Sequence, residues 1–519
     1  MLYELLLLWF NMLIMKASVS LLYRGPQREC KNEFSKLVPQ GLFNILYFLI
    51  KHGVDAKLYN LSELSEKELK SFLRDNSSDI FFISSFFGNH WESIKIAMFI
   101  KSLNNKAVTV LGGPISLYGN EILKRFDCID FLVYGEGEFP ALKIIDFLKG
   151  KDRLNIIPNL FYRKGSHIVK TESYIHHNID DFFFIPSEIQ PYINFVQPEN
   201  LEVIITSRGC PFNCSFCSSP AIWGRKLRTH HISLIVKYLK DLRASLGSLF
   251  FSIRDDNFLA NKKRVIELCK KISNEKLFFM FNLQGSAKFI DEETAHMLSL
   301  AGCNQVQMGI ENLSVRVQLL FNKKINIQDL LKNIKLLRNY CIEPFGYFIT
   351  GVDETDDELD ENIRFIETSG IVSGVVSPLV LYPGTSLAEQ LRPDFFAEKK
   401  EIIYFSKKSY QRNLSYFSKA FQKASRNLFT SEEINYKNDG ITRTIALVTY
   451  LISKNNHKEA IRLLKKEISK DSENPVLYYL FTEILPPSDS AVKKYLLKLD
   501  KLLYGKNSYI KEMLNGAQL

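Results

Sequence analysis

No stretch of this 519-residue chain reaches the roughly 18–20 uninterrupted apolar residues that a membrane span requires. The most apolar segment, MLYELLLLWFNMLI at residues 1–14, is interrupted by Glu4 and Asn11. It also lacks the basic start and small-residue cleavage site of a secretory leader. Translation is read as beginning at Met15, where MKASVSLLY opens on a first strand; the alternative is a short interfacial helix. A cytoplasmic location is expected. Clustered cysteine is equally scarce. Of the cysteines at positions 30, 128, 210, 214, 217, 269, 303 and 341, only three lie together, which speaks against a disulfide framework and for ligation by that one cluster. The formal charge of +10 is uneven, since residues 401–519 carry 20 Lys+Arg against 12 Asp+Glu. A basic tail can draw nucleic acid or a membrane surface; the reading taken here is a solvated helical face, with no nucleic-acid partner.

What is present is alternation. Residues 16–150 read as an open parallel Rossmann-like sheet, with apolar runs such as DIFFISSFF (79–87) and AVTVLGG (107–113) ending in small residues. Ligands of such sheets sit at the carboxyl ends of the strands. Ser84, Ser85, Gly112, Gly113, Pro114 and the turn Gly135, Glu136, Gly137, Glu138 would share one rim there, or the glycines would simply make tight turns. Residues 151–200 are a connector containing a hairpin that turns at Lys164-Gly165. Over 201–392 six further strand candidates alternate with helical segments, as in a partial (β/α)6 barrel of TIM type. Asp255, Asp256, Gln284, Ser286, Glu311 and Asp353 would meet at its strand ends. Residues 393–519 read as an all-helical tail, weakly tetratricopeptide-like over 457–485, expected to add residues to the pocket.

The segment TSRGCPFNCSFCSSP (206–220) carries the chemistry. Cys210, Cys214 and Cys217 on one tight loop can ligate three irons of a cubane cluster and leave the fourth open. The alternative is a structural zinc site, which would need a fourth ligand such as His230 or His231, because no partnering Cys-x2-Cys lies nearby.

At these residues the sequence resembles the radical S-adenosylmethionine (SAM) superfamily, with Phe216 as the aromatic residue before the last cysteine. The resemblance continues through IRDDNF (253–258), QMGIE (307–311), FITGVDETDDELDENIRFI (348–366) and LYPGTSL (381–387). It implies a 4Fe-4S cluster on Cys210, Cys214 and Cys217, with SAM on its open iron. Phe216, Asp255, Asp256, Gln284, Ser286 and Glu311 would line the SAM site. The residues also allow Asp255 and Asp256 to be helix N-caps and Glu311 to pair with a barrel cation. Gly351-Val352-Asp353 departs from the Gly-Leu-Pro usual in the family.

Residues 16–150 resemble the cobalamin-binding domain that precedes many members, through PQGLFNILYFLIKHG (39–53), ISSFFGNH (83–90), LGGP (111–114) and VYGEGE (133–138). The loop after the first strand reads RGPQREC, not the Asp-x-His-x-x-Gly that supplies a histidine to cobalt elsewhere. The resemblance therefore implies cobalamin without a histidine ligand, on Ser84, Ser85, Gly112, Gly113, Pro114, Gly135, Glu136 and Gly137. It implies reductive cleavage of SAM to a 5′-deoxyadenosyl radical and methyl transfer to an unactivated carbon. Cyclisation, rearrangement or oxidation without methylation is the alternative, and a cluster-bearing scaffold a remote one. A small-molecule or peptide substrate and a flavodoxin- or ferredoxin-type electron donor would be the partners.

Overall fold

The computed structural model describes residues 18–27, 36–86, 88–391, 403–425, 429–434, 436, 439–485 and 490–516. The reading of the start codon, and the last three residues of the RGPQREC segment, fall outside these residues. The described chain forms two compact units. The first holds residues up to 200 together with 208–229 and 380–403. The second holds 201–207, 230–379 and 404–519.

The first unit is built on β1 (Val19–Tyr23), β2 (Ala56–Asn60), β3 (Ile80–Ser84), β4 (Val108–Gly112), β5 (Phe131–Val133), β6 (Leu160–Lys164), β7 (His167–Lys170) and β8 (Ile193–Asn194). β1 and β3 are buried at every position, as strands covered on both faces must be. The sheet order is β7-β6-β5-β4-β3-β1-β2-β8. All pairings are parallel except those of the β6–β7 hairpin, which extends the sheet beyond residue 150. The chain reverses its direction of winding between β1 and β3, the position where doubly wound sheets open a crevice.

The second unit holds six parallel strands: β9 (Val203–Ile204), β12 (Phe250–Ile253), β13 (Met280–Gly285), β14 (Cys303–Glu311), β15 (Glu343–Thr350) and β16 (Ser373–Pro378). They pair in sequence order, with β9 and β16 as the two edges, so the barrel is partial. The two-residue strands β10 (Ser207–Arg208) and β11 (Arg228–Thr229) flank the cysteine loop in the chain. One face of the sheet is amide-rich. Register puts Ser252, Asn282, Gln305 and Glu343 in one row, and Gln284, Gln307 and Phe345 in the next.

The tail packs on the barrel in two places. Helix Lys407–Ala424 packs on β15 and β16, where Phe417 meets Phe348 at 5.8 Å between ring centroids. Helices between 441 and 516 pack at the amino ends of the barrel strands, where Leu249 and Met280 join Val476, Leu496, Leu499 and Leu503 in one core. Asn507 fastens this end by donating to the Gly247 carbonyl at 3.1 Å. These helices therefore lie at the end of the barrel opposite the carboxyl ends of its strands. Amphipathic periodicity shows that a helix buries a face, and does not show against what.

Candidate active site

The cysteine loop belongs to the first unit. Gly209 (φ 92°) starts it, and a Cβ there would run into the Lys226 carbonyl oxygen, so a glycine is required for the loop to close. Cys217 N donates to Cys214 O at 3.2 Å, folding the last two cysteines into one turn ahead of helix Ser219–Trp223. All three thiols are partly exposed and reduced. Segment 380–391 lies against this loop: Leu387 N donates to Ser215 O at 3.1 Å. Burial, and then the charge of Cys217, push the Tyr382 phenol up. LYPGTSL thus meets the cysteines in space, although it follows β16 instead of completing it.

The loop is held at both ends by a buried ionic quartet. Arg208, two residues before Cys210, donates to Glu138 and lies 3.3 Å from Glu136. Arg228 is 2.6 Å from Glu136 and donates to the carbonyls of His176 at 2.7 Å and Trp223 at 3.0 Å. The Trp223 ring lies under the Arg208 guanidinium, 4.9 Å away. Burial alone would pull the Arg208 pKa down; the carboxylates of Glu138 and then Glu136 outweigh it and push it up. Glu136 accepts further from His176 N at 2.9 Å, so its carboxylate is engaged inside the protein.

The rest of the rim lies at the carboxyl ends of β3, β4 and β5. Ser84 and Ser85 are buried, and Ser85 N donates to Gly112 O at 2.8 Å. Gly113 (φ 91°) is required by the turn itself, since a Cβ would sit 2.5 Å from Ser85 O. Gly112 is different: its Cβ would meet nothing nearer than Val133 O at 3.7 Å. Gly112, Gly113, Pro114, Gly135 and Gly137 are partly exposed, leaving a shelf of backbone with almost no side chain.

In the second unit, Asp255 is fully buried and is neither exposed to a ligand nor a helix cap. Its Oδ1 accepts from Thr206 N (2.5 Å) and Ser207 N (3.1 Å), and its Oδ2 from both hydroxyls at 2.6 Å. It fixes the chain immediately ahead of Arg208. Asp256 is exposed. Gln284 donates to the Tyr347 hydroxyl at 3.2 Å, and that hydroxyl donates to Gln307 at 2.7 Å, with Arg254 also donating to Gln307. Ser286 N donates to Asn257 Oδ1 at 3.1 Å. Glu311 (φ 65°) pairs with Lys323 at 2.8 Å. Asp353 (φ 53°) accepts from Ser406 at 2.5 Å.

Among the described residues, no group of three or more His, Cys, Asp or Glu side chains is placed to hold a single metal ion. Three thiolates on one loop instead suit a cubane, whose ligands are spread over separate irons. Sequence reasoning missed the roles of Arg208, Arg228 and Glu138, and the Arg254–Gln307–Tyr347 network. Their partners are tens of residues away and leave no local signature.

Residues 204–366 match the Radical SAM superfamily. An uncharacterized methyltransferase of Pyrococcus horikoshii is 27% identical over 357 residues, covering 68% of this chain and 78% of that protein. The cytidylyl-2-hydroxyethylphosphonate methyltransferase of Streptomyces wedmorensis is 24% identical, covering 70% and 80%. The cobalamin-dependent SAM radical enzyme OxsB, solved with aqua-cobalamin and SAM bound, shares the fold: TM-score 0.63 at 16% identity, covering 98% of this chain and 82% of that one. Among the described residues no helix is long and apolar enough to cross a membrane.

Proposed function

We propose that the chain is a cobalamin-dependent radical SAM methyltransferase acting on an unactivated carbon of a small-molecule substrate. The observation that carries this reading is the cysteine loop packed, within one compact unit, beside the backbone shelf of a doubly wound sheet. Cys210, Cys214 and Cys217 would ligate a 4Fe-4S cluster, with Phe216 between the last two. Ser84, Ser85, Gly112, Gly113, Pro114, Gly135 and Gly137 would hold cobalamin through backbone and small side chains, with no histidine on cobalt. Asp256, Gln284, Ser286 and Glu311 are the strand-end groups offered to SAM, while Asp255 orders the approach to the loop. When bound, the cluster supplies the electron that breaks the SAM carbon–sulfur bond, and cobalamin supplies a transferable methyl group. The protein's own part is to position these groups and exclude water. A flavodoxin- or ferredoxin-type protein would deliver the electron in the cytoplasm.

Cobalt and iron content after anaerobic purification from cells supplied with cobalamin tests this reading. About one cobalt beside four irons per chain is expected, with S-adenosylhomocysteine and 5′-deoxyadenosine both formed during turnover. Four irons without cobalt, and no S-adenosylhomocysteine, would replace methylation by a cyclisation, rearrangement or oxidation.

A further inference from the structure

We propose that the buried quartet Arg208, Arg228, Glu136 and Glu138 clamps both ends of the cysteine loop and, by its charge balance, sets the reduction potential of the cluster. This rests on the assignment of Cys210, Cys214 and Cys217 as cluster ligands.

All four residues are almost wholly buried, at 3%, 6%, 3% and 2% exposure in the order just given. Both glutamates come from one turn, between β5 and helix Glu138–Leu148. The arginines come from the two ends of the loop, so a single turn grips both. Trp223, in the helix that follows the cysteines, is tied in as well: its ring lies under Arg208 and its carbonyl accepts from Arg228. Buried ion pairs add little stability over well-packed apolar side chains of the same size. Four charges buried together where apolar packing would serve are therefore a feature to be explained.

Placement two residues from Cys210 suggests what they do. Cluster potentials respond to nearby charge, hydrogen bonding and solvent exposure, and charges act strongly where water is excluded. Two cations and two anions leave no net charge. Reduction makes the cluster more negative, so losing one anion must raise its potential and losing one cation must lower it. A purely mechanical clamp has no such sign.

The test uses the anaerobically reconstituted full chain, reading iron per chain and the midpoint potential by EPR-monitored potentiometry. Glu138→Gln and Glu136→Gln, which nearly preserve shape, should each raise the midpoint. Arg208→Gln should lower it, and the neutral double variant E138Q/R208Q should return it to the wild-type value. Variants that load four irons yet keep the wild-type midpoint, or that all shift in one direction, would overturn the proposal. Should Arg208→Gln not fold, the two glutamate variants decide, because both must move upward. A wild-type chain that takes no cluster on its three cysteines is a different failure: it removes the assignment on which the proposal stands.

Discussion

Asp255 offers the sharpest test of how the chain just ahead of Arg208 is held. One of its carboxylate oxygens accepts two backbone N–H groups, from Thr206 and Ser207, and the other accepts their two hydroxyls. The two halves differ in what they tolerate. In Asp255→Asn the amide oxygen keeps both backbone donors, and the amide N–H groups face hydroxyls that can turn and accept. In Asp255→Ala both backbone donors are orphaned in a site with no access to water. Each buried donor left unsatisfied costs about 1–3 kcal/mol, so the alanine variant should lose about 2–6 kcal/mol. The asparagine variant should lose about 1 kcal/mol, from weaker uncharged hydrogen bonds. Urea unfolding followed by circular dichroism gives the stabilities, and iron analysis shows whether the loop still takes a cluster. The alanine variant should be poor in iron and the asparagine variant close to wild type. Equal losses in the two variants would refute the reasoning.

Three further outcomes follow from the rim and from one ion pair. Gly113→Ala should destabilise by at least about 1–3 kcal/mol from backbone strain alone, because φ is 91° and the new Cβ would press on Ser85 O; an unchanged urea midpoint would contradict this. Gly112→Ala should leave that midpoint unchanged, since the added methyl has room, yet weaken cobalamin binding in equilibrium dialysis; undiminished binding would remove Gly112 from the cofactor shelf. Arg316, with help from Ser314, holds the Glu358 carboxyl down at about 2 against an ordinary 4.5. A depressed folded-state pKa stabilises fully above the unfolded value and fades as pH falls through the folded one. The stability gap between wild type and Glu358→Gln should therefore be complete above pH about 4.5 and shrink towards pH 2; a gap independent of pH would show that Glu358 is not held in this way.

The strands were legible because buried parallel strands leave continuous apolar runs. VSLLY, IFFIS and VTVLG appear as strands within the segments where those runs place them. The cysteine loop was legible because its ligands are close in sequence. Arg208 and Glu138 are 70 residues apart, and Arg228 and His176 are 52 apart, so nothing in either neighbourhood announces the clamp. Asp255 was read as a ligand-facing acid because strand-end aspartates often are, and only the structure shows Thr206 and Ser207 filling its acceptors. The tail's helices are marked locally by Asn456 and Asn474 caps and by Pro475. Their packing at the amino ends of the strands depends on contacts such as Asn507 with Gly247, which no periodicity encodes.

The central claim is that the three cysteines carry a cluster that cleaves SAM. Incubating the anaerobically reconstituted chain with SAM and dithionite, and quantifying 5′-deoxyadenosine against Cys214→Ala, tests it most directly. The account predicts four irons and 5′-deoxyadenosine from the wild-type chain, with the product falling to background in the variant. Equal product from both chains, or none from a wild-type chain that holds four irons, would contradict it.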